Sequence, residues 1–252
     1  MAAMPRGATW TRDELILAFN LYCKIPFGLI HLRNPEIIRL AKAIGRTPSS
    51  VSWKLANFAR LDPALKARNI SGATHGAKAE VEIWREFNAN WDKLPFESER
   101  LAAALGDREL VTETLPEGKD KEALVRVRVN QGFFRAAVLA AYDFKCCLTG
   151  LAIPDLLTAS HIVPWSRDAA NRTNPRNGLC LNALHDRAFD CGLITVTPEL
   201  SVRVSRLVRT NSGDKFGRIV LGKYDGARIR PASRFRPEPS FLKFHNQHVF
   251  RQ

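Results

Sequence analysis

A histidine, an asparagine and a histidine–aspartate pair lie close together in the second half of the chain. His161 ends the apolar run in "TASHIVPW", Asn177 stands in "NPRNG" 16 residues later, and His185–Asp186 follows after 8 more. A neutral imidazole takes up a proton near neutral pH, and imidazole and carboxylate groups bind divalent cations. These residue types suit metal-assisted hydrolysis of a phosphodiester, provided that the fold brings them into one site.

The surrounding sequence predicts a strand, a loop and a helix that carry these residues. "LLTASHIV" is a short apolar run typical of a strand, and "RTNPRNG" has the composition of a turn. "LNALHDRAFDCG" predicts a helix that ends at Gly192. "LITVT" and "LSVRVS" predict a hairpin across Pro198–Glu199. "PSFLKFHNQHVF" predicts a last helix, in which His245 and His248 are more simply explained as packed or solvated side chains than as metal ligands.

The segment before this site predicts a linker, a strand and a helix. "GDRELVTETLPEGKDKE" is charged and contains Pro and Gly, which indicates an interdomain linker. "LVRVRV" alternates strictly and predicts a strand with Arg126 and Arg128 on one face, and "FFRAAVLAAYD" predicts a helix. We therefore expect an α+β protein with a helical domain over 1–105, a linker over 106–120 and a second domain over 121–252.

Helix-capping signals mark three helices near the N-terminus. Thr11 and Glu14 form a capping box, and Asn34 and Thr47 each precede a proline in the first helical turn. Gly45 ends the second helix. The spacing of the second and third helices is typical of a helix-turn-helix, although a plain three-helix bundle explains it equally well.

The exposed face predicted for the third helix suits contacts to phosphates and base edges. The nucleic-acid-binding residues predicted in this region are Arg46, Ser49, Ser50, Trp53 and Asn57. In the second half of the chain, Arg126, Arg128 and Arg187 are predicted to bind the same polyanion.

Charge favours a polyanionic partner. The chain has 38 Lys and Arg against 25 Asp and Glu, which gives a formal net charge of +13 and a pI near 10.0. Such an excess attracts nucleic acid first and anionic membrane surfaces second, but no segment is clearly a basic amphipathic helix. No apolar run is long enough to span a bilayer, and the start lacks a secretory signal, so we expect a cytoplasmic protein.

The five cysteines do not indicate a disulfide framework, because their number is odd and no secretion signal is present. Cys146, Cys147, Cys180 and His185 are the candidate ligands of a structural zinc site. It is disfavoured because adjacent cysteines rarely both reach one tetrahedral ion.

Residues 121–205 resemble the HNH endonucleases, which have a ββα-metal fold, and in particular the subgroup found among restriction endonucleases. The resemblance rests on "RVNQGFFRAAVLAAYDFKCCLTG", "ASHIVPW" and "NPRNGLCLNALHDRAFDCGLITV", and more loosely on "FLKFHNQHVF". It implies that His161 is the general base, that Asn177 and His185 also belong to the catalytic residues, and that a residue of the His185–Asp186 pair binds one divalent cation. The expected ion is Mg²⁺, with Mn²⁺, Ni²⁺ or Zn²⁺ as alternatives. Asn177 would tie the loop to the strand so that His161 points at the phosphate.

One position departs from the pattern of many HNH nucleases. Ser160 stands immediately before His161, where relatives often carry an acid or a second histidine that binds the metal. A hydroxyl is a weaker ligand for a hard cation. We expect His185, Asp186 and Ser160 to surround the ion, with Asp186 supplying the missing negative charge. Asp190, in the last turn of its helix, opposes the helix dipole and needs either Arg187 or the metal as a partner.

The sequence thus predicts a divalent-metal-dependent endonuclease of a restriction or defence system that cuts double-stranded DNA. A homodimer would supply the two sites needed to cut both strands. Two alternatives remain open, namely a DNA-binding regulator whose nuclease site has decayed and an HNH nuclease that acts on RNA.

Overall fold

The computed structural model describes residues 9–70, 78–106, 119–210 and 215–252. Helices dominate, and two small antiparallel sheets lie in the second half of the chain, so the α+β class is confirmed. No helix in this described part has the length and hydropathy needed to cross a bilayer.

The first half of the chain is helical. Its described helices are α1 (Arg12–Lys24), α2 (Pro35–Ala43), α3 (Pro48–Ala59), α4 (Pro63–Lys66), α5 (Lys78–Ala89) and α6 (Lys93–Ala104). The predicted caps are confirmed. Thr11 and Glu14 exchange both bonds of the capping box, and Asn34 and Thr47 accept hydrogen bonds from the first turns of α2 and α3. Gly45 has a φ of 68° where α2 ends. The helix-turn-helix interpretation of α2 and α3 stays a prediction.

The long helix α7 (Lys119–Ala141) corrects one prediction. The segment "LVRVRV" is helical, not a strand. Val125 and Val129 are buried one turn apart, whereas Val127 between them is 44 % exposed. Burial therefore follows helical spacing, and the strand preference of the valines yields to the continuous helix in which they lie. The predicted helix "FFRAAVLAAYD" is confirmed as the second half of α7, up to Ala141.

Two adjacent stripes of α7 enter two different hydrophobic cores. Phe133 and Ala137 belong to the core of the first half, together with the aromatic side chains of α1, α3 and α5. Phe134 and Val138 belong to the core of the second half. Residues four apart lie on one helix face, so each pair forms one stripe. Helix α7 therefore belongs to both halves. The predicted linker lies mostly outside the described residues, since 107–118 are not among them.

The candidate site is built on two strands and a helix. Strand β1 (Leu157–His161) pairs antiparallel with β2 (Gly178–Asn182), so that His161 lies opposite Gly178. Helix α8 (Ala183–Asp190) follows β2 directly, with the Asn182 side chain as its N-cap. The strand at 157–161 and the end of the helix before Gly192, which has a φ of 69°, are confirmed. Leu181 and Asn182 belong to β2, however, and not to the helix as predicted.

The rest of the chain closes the second core. The predicted hairpin is confirmed as β3 (Ile194–Val196) and β4 (Val202–Val204). The remaining helices are α9 (Arg206–Thr210), α10 (Lys215–Val220) and α11 (Pro239–His248), the last of which was predicted.

Arg234 joins the two halves although its guanidinium is fully buried. It donates to the carbonyl oxygens of Tyr22, Cys23 and Ile25 at the end of α1. A cation is favoured at this end of a helix, where the free carbonyl groups carry partial negative charge. Phe235, the next residue, lies inside the first core at a φ of 47°, and its N–H donates to Asp62.

Candidate active site

A cleft of about 320 Å³ opens beside the end of β1. Its walls come from β1, α8, α11 and the segment that follows β1. The lining residues are Thr158, Ala159, Ser160, His161, Pro164, Trp165, Asp186, Asp190, His245 and Val249. The fold thus brings the His161 imidazole, the Ser160 hydroxyl and the carboxylates of Asp186 and Asp190 into one cavity.

His161 is held on three sides. Its ring stacks on Phe134 of α7 at a centroid distance of 3.8 Å and meets the edge of Trp165 at 5.5 Å. Its Nε2 lies 2.8 Å from the carbonyl oxygen of Arg172. Because a carbonyl oxygen can only accept, Nε2 carries the proton and Nδ1 of the neutral ring keeps a free lone pair.

The electrostatic surroundings keep this ring neutral. Burial lowers the pKa of His161, while the bond to the Arg172 carbonyl and the charge of Asp186 act in the opposite direction. The net shift is downward, so His161 is a free base at neutral pH.

Asn177 fixes the loop between β1 and β2 to the end of β1. Its Oδ1 accepts from the N–H of Val163 at 2.8 Å, and its Nδ2 donates to the carbonyl oxygens of Val163 and Asn171 at 3.2 Å each. Its backbone carbonyl accepts from Ile162. The side chain is 1 % exposed, so it braces the chain that follows His161 without entering the cleft. These contacts agree with the loop-tying part predicted for Asn177.

The backbone conformation of Gly178 does not require glycine, since its φ of −133° is open to any residue. Glycine is required there by the close approach of α7. A Cβ at this position would lie 2.3 Å from Cγ2 of Val138 and 3.0 Å from Cζ of Phe134. Phe134 is the ring on which His161 stacks. The glycine therefore lets β2 approach the helix that supports the imidazole.

Asp186 and Asp190 lie one turn apart on α8 and both line the cleft. Burial raises the pKa of Asp186, against the lowering effects of Ser160, His161 and Arg187. Burial, and then repulsion from Asp186, raises the pKa of Asp190. Two neighbouring carboxylates that are partly removed from water favour a cation between them.

Ser160 is the third side chain of the cleft that offers an oxygen ligand, after Asp186 and Asp190. It is 2 % exposed and lines the same cleft, and its Oγ has no hydrogen-bond partner of regular geometry, although it lies beside the Asp186 carboxylate. A buried hydroxyl without a partner is costly unless a ligand satisfies it. The structure therefore places Ser160 beside Asp186, and its part as a metal ligand stays a prediction.

His185 does not reach the cleft, contrary to its predicted place among the catalytic and metal-binding residues. Its side chain is 2 % exposed, Nδ1 lies 2.9 Å from Asn182 Oδ1, and Nε2 donates to the carbonyl oxygen of Val220 at 3.0 Å. The ring also meets Tyr224 edge-on. Since a helix turns about 100° per residue, Asp186 faces His161 when His185 faces α10.

His245 enters the site from α11. Its ring stacks on Phe189 at 3.7 Å, Nδ1 lies 2.8 Å from the Thr195 hydroxyl, and Nε2 donates to the carbonyl oxygen of Phe189. Burial lowers the pKa of His245 to about 4. Both ring nitrogens are thus bound to protein groups, and His248 contacts Phe244. His245 is thus a packed side chain, whereas His248 is exposed to solvent.

The three cysteines weighed as zinc ligands, Cys146, Cys147 and Cys180, are buried free thiols. Burial raises the pKa of Cys147 and Cys180, which keeps them protonated. Among the described residues, no group of three or more His, Cys, Asp or Glu side chains is arranged to hold a metal ion.

Only some of the residues predicted to bind nucleic acid on and beside α3 are exposed. Asn57 is 4 % exposed and donates to Glu80, and Arg46 forms a buried ion pair with Glu14 at 2.7 Å. Neither side chain therefore points outward. Ser49 and Trp53 are exposed, Trp53 at 64 %, and Ser50 is half-buried.

The arginines predicted in the second half are exposed but are not one group. Arg126 and Arg128 stand two residues apart on the helix α7 and so do not share a face, which corrects the strand-based prediction. Arg126 stacks over the ring of Phe96 at 4.2 Å. Arg187 is exposed next to Asp186.

Residues 146–197 match the sequence model of the HNH endonuclease family. The matched segment runs from Cys146 through β1, β2 and α8 to the end of β3, and contains every cleft residue of β1 and α8. The second half of this chain therefore contains a domain of the HNH endonuclease family, whose members generally use a divalent metal ion. No curated protein matches the chain significantly.

The residues of the cleft fit a divalent cation that prefers oxygen. Two carboxylates and a hydroxyl are hard ligands, and Mg²⁺ is usually bound through one or two carboxylates, with water and phosphate oxygens completing its shell. A site with fewer than three protein carboxylates or imidazoles is therefore compatible with such an ion.

Proposed function

We propose that this protein is a divalent-metal-dependent DNA endonuclease in which His161 is the general base. The observation that carries the proposal is the meeting of His161, Asp186 and Ser160 in one cleft of an HNH domain. The unprotonated Nδ1 of His161 accepts a proton from a water molecule, which then attacks the scissile phosphorus. The bond from Nε2 to the Arg172 carbonyl stabilises the imidazolium that forms.

Asp186, with Asp190 and Ser160 beside it, would hold the cation. When bound, the ion would supply Lewis-acid stabilisation of the phosphate and of the departing 3′ oxygen. Mg²⁺ suits this set of oxygen atoms best, while Mn²⁺, Ni²⁺ and Zn²⁺ remain to be compared. Arg187, exposed on the same helix, is available to a phosphate of the DNA.

The first half of the chain would position the duplex. The positive net charge of +13 supports capture of DNA, and Trp53 and Ser49 form the exposed part of α3. Because Arg46 and Asn57 are tied to Glu14 and Glu80, recognition by α3 rests on the remaining exposed residues. A restriction or defence role, with a homodimer to cut both strands, is part of the same proposal.

The test is a cleavage assay on supercoiled plasmid, with and without base modification, in the presence of Mg²⁺, Mn²⁺, Ni²⁺ or Zn²⁺. We expect nicking or linearisation by the wild type, none by His161→Ala, and similar DNA binding by both in a gel shift. Equal cleavage by His161→Ala would overturn the assignment of the base. A folded RNA in a parallel reaction separates the two substrates, and sedimentation with and without DNA reports a dimer.

The second candidate is a DNA-binding regulator with a decayed nuclease site. Two observations favour it, namely the hydroxyl of Ser160 in place of an acid and the withdrawal of His185 to Val220. Salt-dependent DNA binding without nicking under any of the four ions would support this function in place of the enzyme.

A further inference from the structure

We propose that Asp92, in the first half of the chain, is a positioning residue for His161 and acts through Thr173. The inference rests on the proposed function, because it assigns Asp92 a part in holding the general base. It extends the active site across the boundary between the two halves of the molecule.

The contact is a part-buried hydrogen bond between distant parts of the sequence. Thr173 lies in the loop between β1 and β2, is 0 % exposed, and donates through Oγ1 to Oδ1 of Asp92. Thr173 directly follows Arg172, the residue whose carbonyl oxygen accepts the proton-bearing Nε2 of His161. The Asp92 carboxylate therefore holds the loop one residue away from the bond that fixes the imidazole tautomer.

The position of Asp92 indicates that its carboxylate serves this contact. It stands at the N-cap of α6, where an aspartate normally accepts a hydrogen bond from the first helical turn, yet its side chain makes no such bond. The neighbouring Trp91 is buried in the first core and lies 6.4 Å from the ring of Phe133. The backbone that carries Asp92 is thereby anchored to α7, the helix that also supports the His161 ring through Phe134.

The other side-chain hydrogen bonds of this loop are local. In the described part of the chain they join positions within 161–177, such as Asn171 to Asp168 and Asn174 to Asn171. Such bonds hold the loop to itself and to the end of β1. At the far end of the loop, Arg176 pairs with Glu238 at 3.6 Å, and its carbonyl oxygen accepts from the Glu238 N–H. The bond to Asp92 ties the part of the loop next to Arg172 to the first half of the chain. A displacement of about 1 Å in a catalytic group is enough to cost up to ~100-fold in rate, so a second anchor for the Arg172 carbonyl matters for the reaction.

The experiment compares four variants with the wild type in the cleavage of supercoiled plasmid. Thr173→Val and Asp92→Ala remove the hydrogen bond, while Thr173→Ser and Asp92→Asn keep a donor or an acceptor at the same place. We expect kcat to fall about 10-fold in the first pair, with KM for DNA unchanged, and to recover in the second pair. Arg68→Ala is the matched control, because it removes another hydrogen bond between the halves, from Arg68 to the Ser233 carbonyl, and leaves the loop untouched.

A second readout does not depend on activity. The Nε2 proton of His161 should be visible by NMR as a slowly exchanging imidazole signal that is absent in His161→Ala. Thr173→Val and Asp92→Ala should broaden or lose this signal, while Arg68→Ala keeps it. The proposal is overturned if the signal and kcat persist in folded Thr173→Val and Asp92→Ala, or if Arg68→Ala lowers kcat equally. A wild type that cuts nothing contradicts the proposed nuclease function, and the NMR signal still decides the contact.

Discussion

Nε2 of His161 and the carbonyl oxygen of Arg172 lie 2.8 Å apart, and this single hydrogen bond decides which nitrogen of the ring is basic. The carbonyl can only accept, so the ring proton resides on Nε2 and the lone pair on Nδ1. The same ring is stacked on Phe134 and partly removed from water, which lowers its pKa. Geometry and charge together prepare a neutral base with a defined orientation.

The pH dependence of cleavage follows from this pKa. A base is active when it is unprotonated, and the pKa of His161 lies below its ordinary value of 6.5. We therefore expect kcat to fall on the acid side, with the midpoint of this fall below pH 6.5. Single-turnover rates across the neutral and acid pH range measure the effect. An acid limb centred above pH 6.5 would contradict it.

Asp186 and His185 are expected to respond differently to substitution. Asp186→Asn removes a carboxylate from the cleft, so the affinity for Mn²⁺, measured by calorimetry without DNA, should fall at least 10-fold. His185→Gln should leave metal affinity and low-temperature kcat unchanged. It should lower the free energy of unfolding by about 1–3 kcal/mol, because the buried ring of His185 donates to the Val220 carbonyl oxygen.

Urea unfolding of both variants provides the comparison. If His185→Gln abolishes metal binding while its fold is intact, the assignment of the cation to Asp186 is wrong.

Arg234→Met should destabilise the whole molecule. The substitution leaves the carbonyl groups of Tyr22, Cys23 and Ile25 without their donor in a buried place. We expect a loss of roughly 3 kcal/mol or more in the free energy of unfolding. Arg39→Met is the control, since Arg39 forms an exposed pair with Glu36, worth about 0.5 kcal/mol or less. Equal effects of the two substitutions would refute the role given to Arg234.

Acid should weaken the fold through His245. Its pKa is about 4 in the folded protein against about 6.5 when unfolded, so between these values only the unfolded chain binds the proton. The contribution of the neutral His245 to the free energy of unfolding is complete above pH 6.5 and is lost as the pH falls towards 4. From pH 7 to pH 5, wild type should lose roughly 2 kcal/mol more than His245→Gln, whose amide still reaches Phe189 and Thr195. Parallel losses in the two proteins would contradict the neutral, buried state of this ring.

Local signals in the sequence were enough for the parts of the fold that local contacts decide. Thr11, Asn34 and Thr47 cap their helices as predicted, because an N-cap bond spans only two or three residues. The short apolar run that ends at His161 is a strand, and Gly192 follows α8 at a positive φ.

Long-range contacts decided the rest. Arg46 and Asn57 are held by Glu14 and Glu80, which are 32 and 23 residues away, so local sequence could not show that these two side chains are turned away from solvent. The choice between His185 and Asp186 depends on the angle at which α8 meets β1 and α10. No spacing within the motif determines that angle. Among the supports of His161, Arg172 and Thr173 lie outside the motifs quoted for the family resemblance. Phe134 lies within one of them, but nothing in that motif shows that its ring stacks on His161.

The sharing of α7 and Phe235 between the two cores has a practical consequence for protein engineering. A fusion enzyme that joined residues 119–252 to a foreign DNA-binding module would leave Phe133, Ala137 and Phe235 facing water, together with an arginine that has lost the end of α1. Such a fragment would aggregate or remain partly unfolded. Any transplant of this HNH domain must therefore carry α1 and its helical neighbours along, and a foreign binding module has to be attached to the outside of the intact chain.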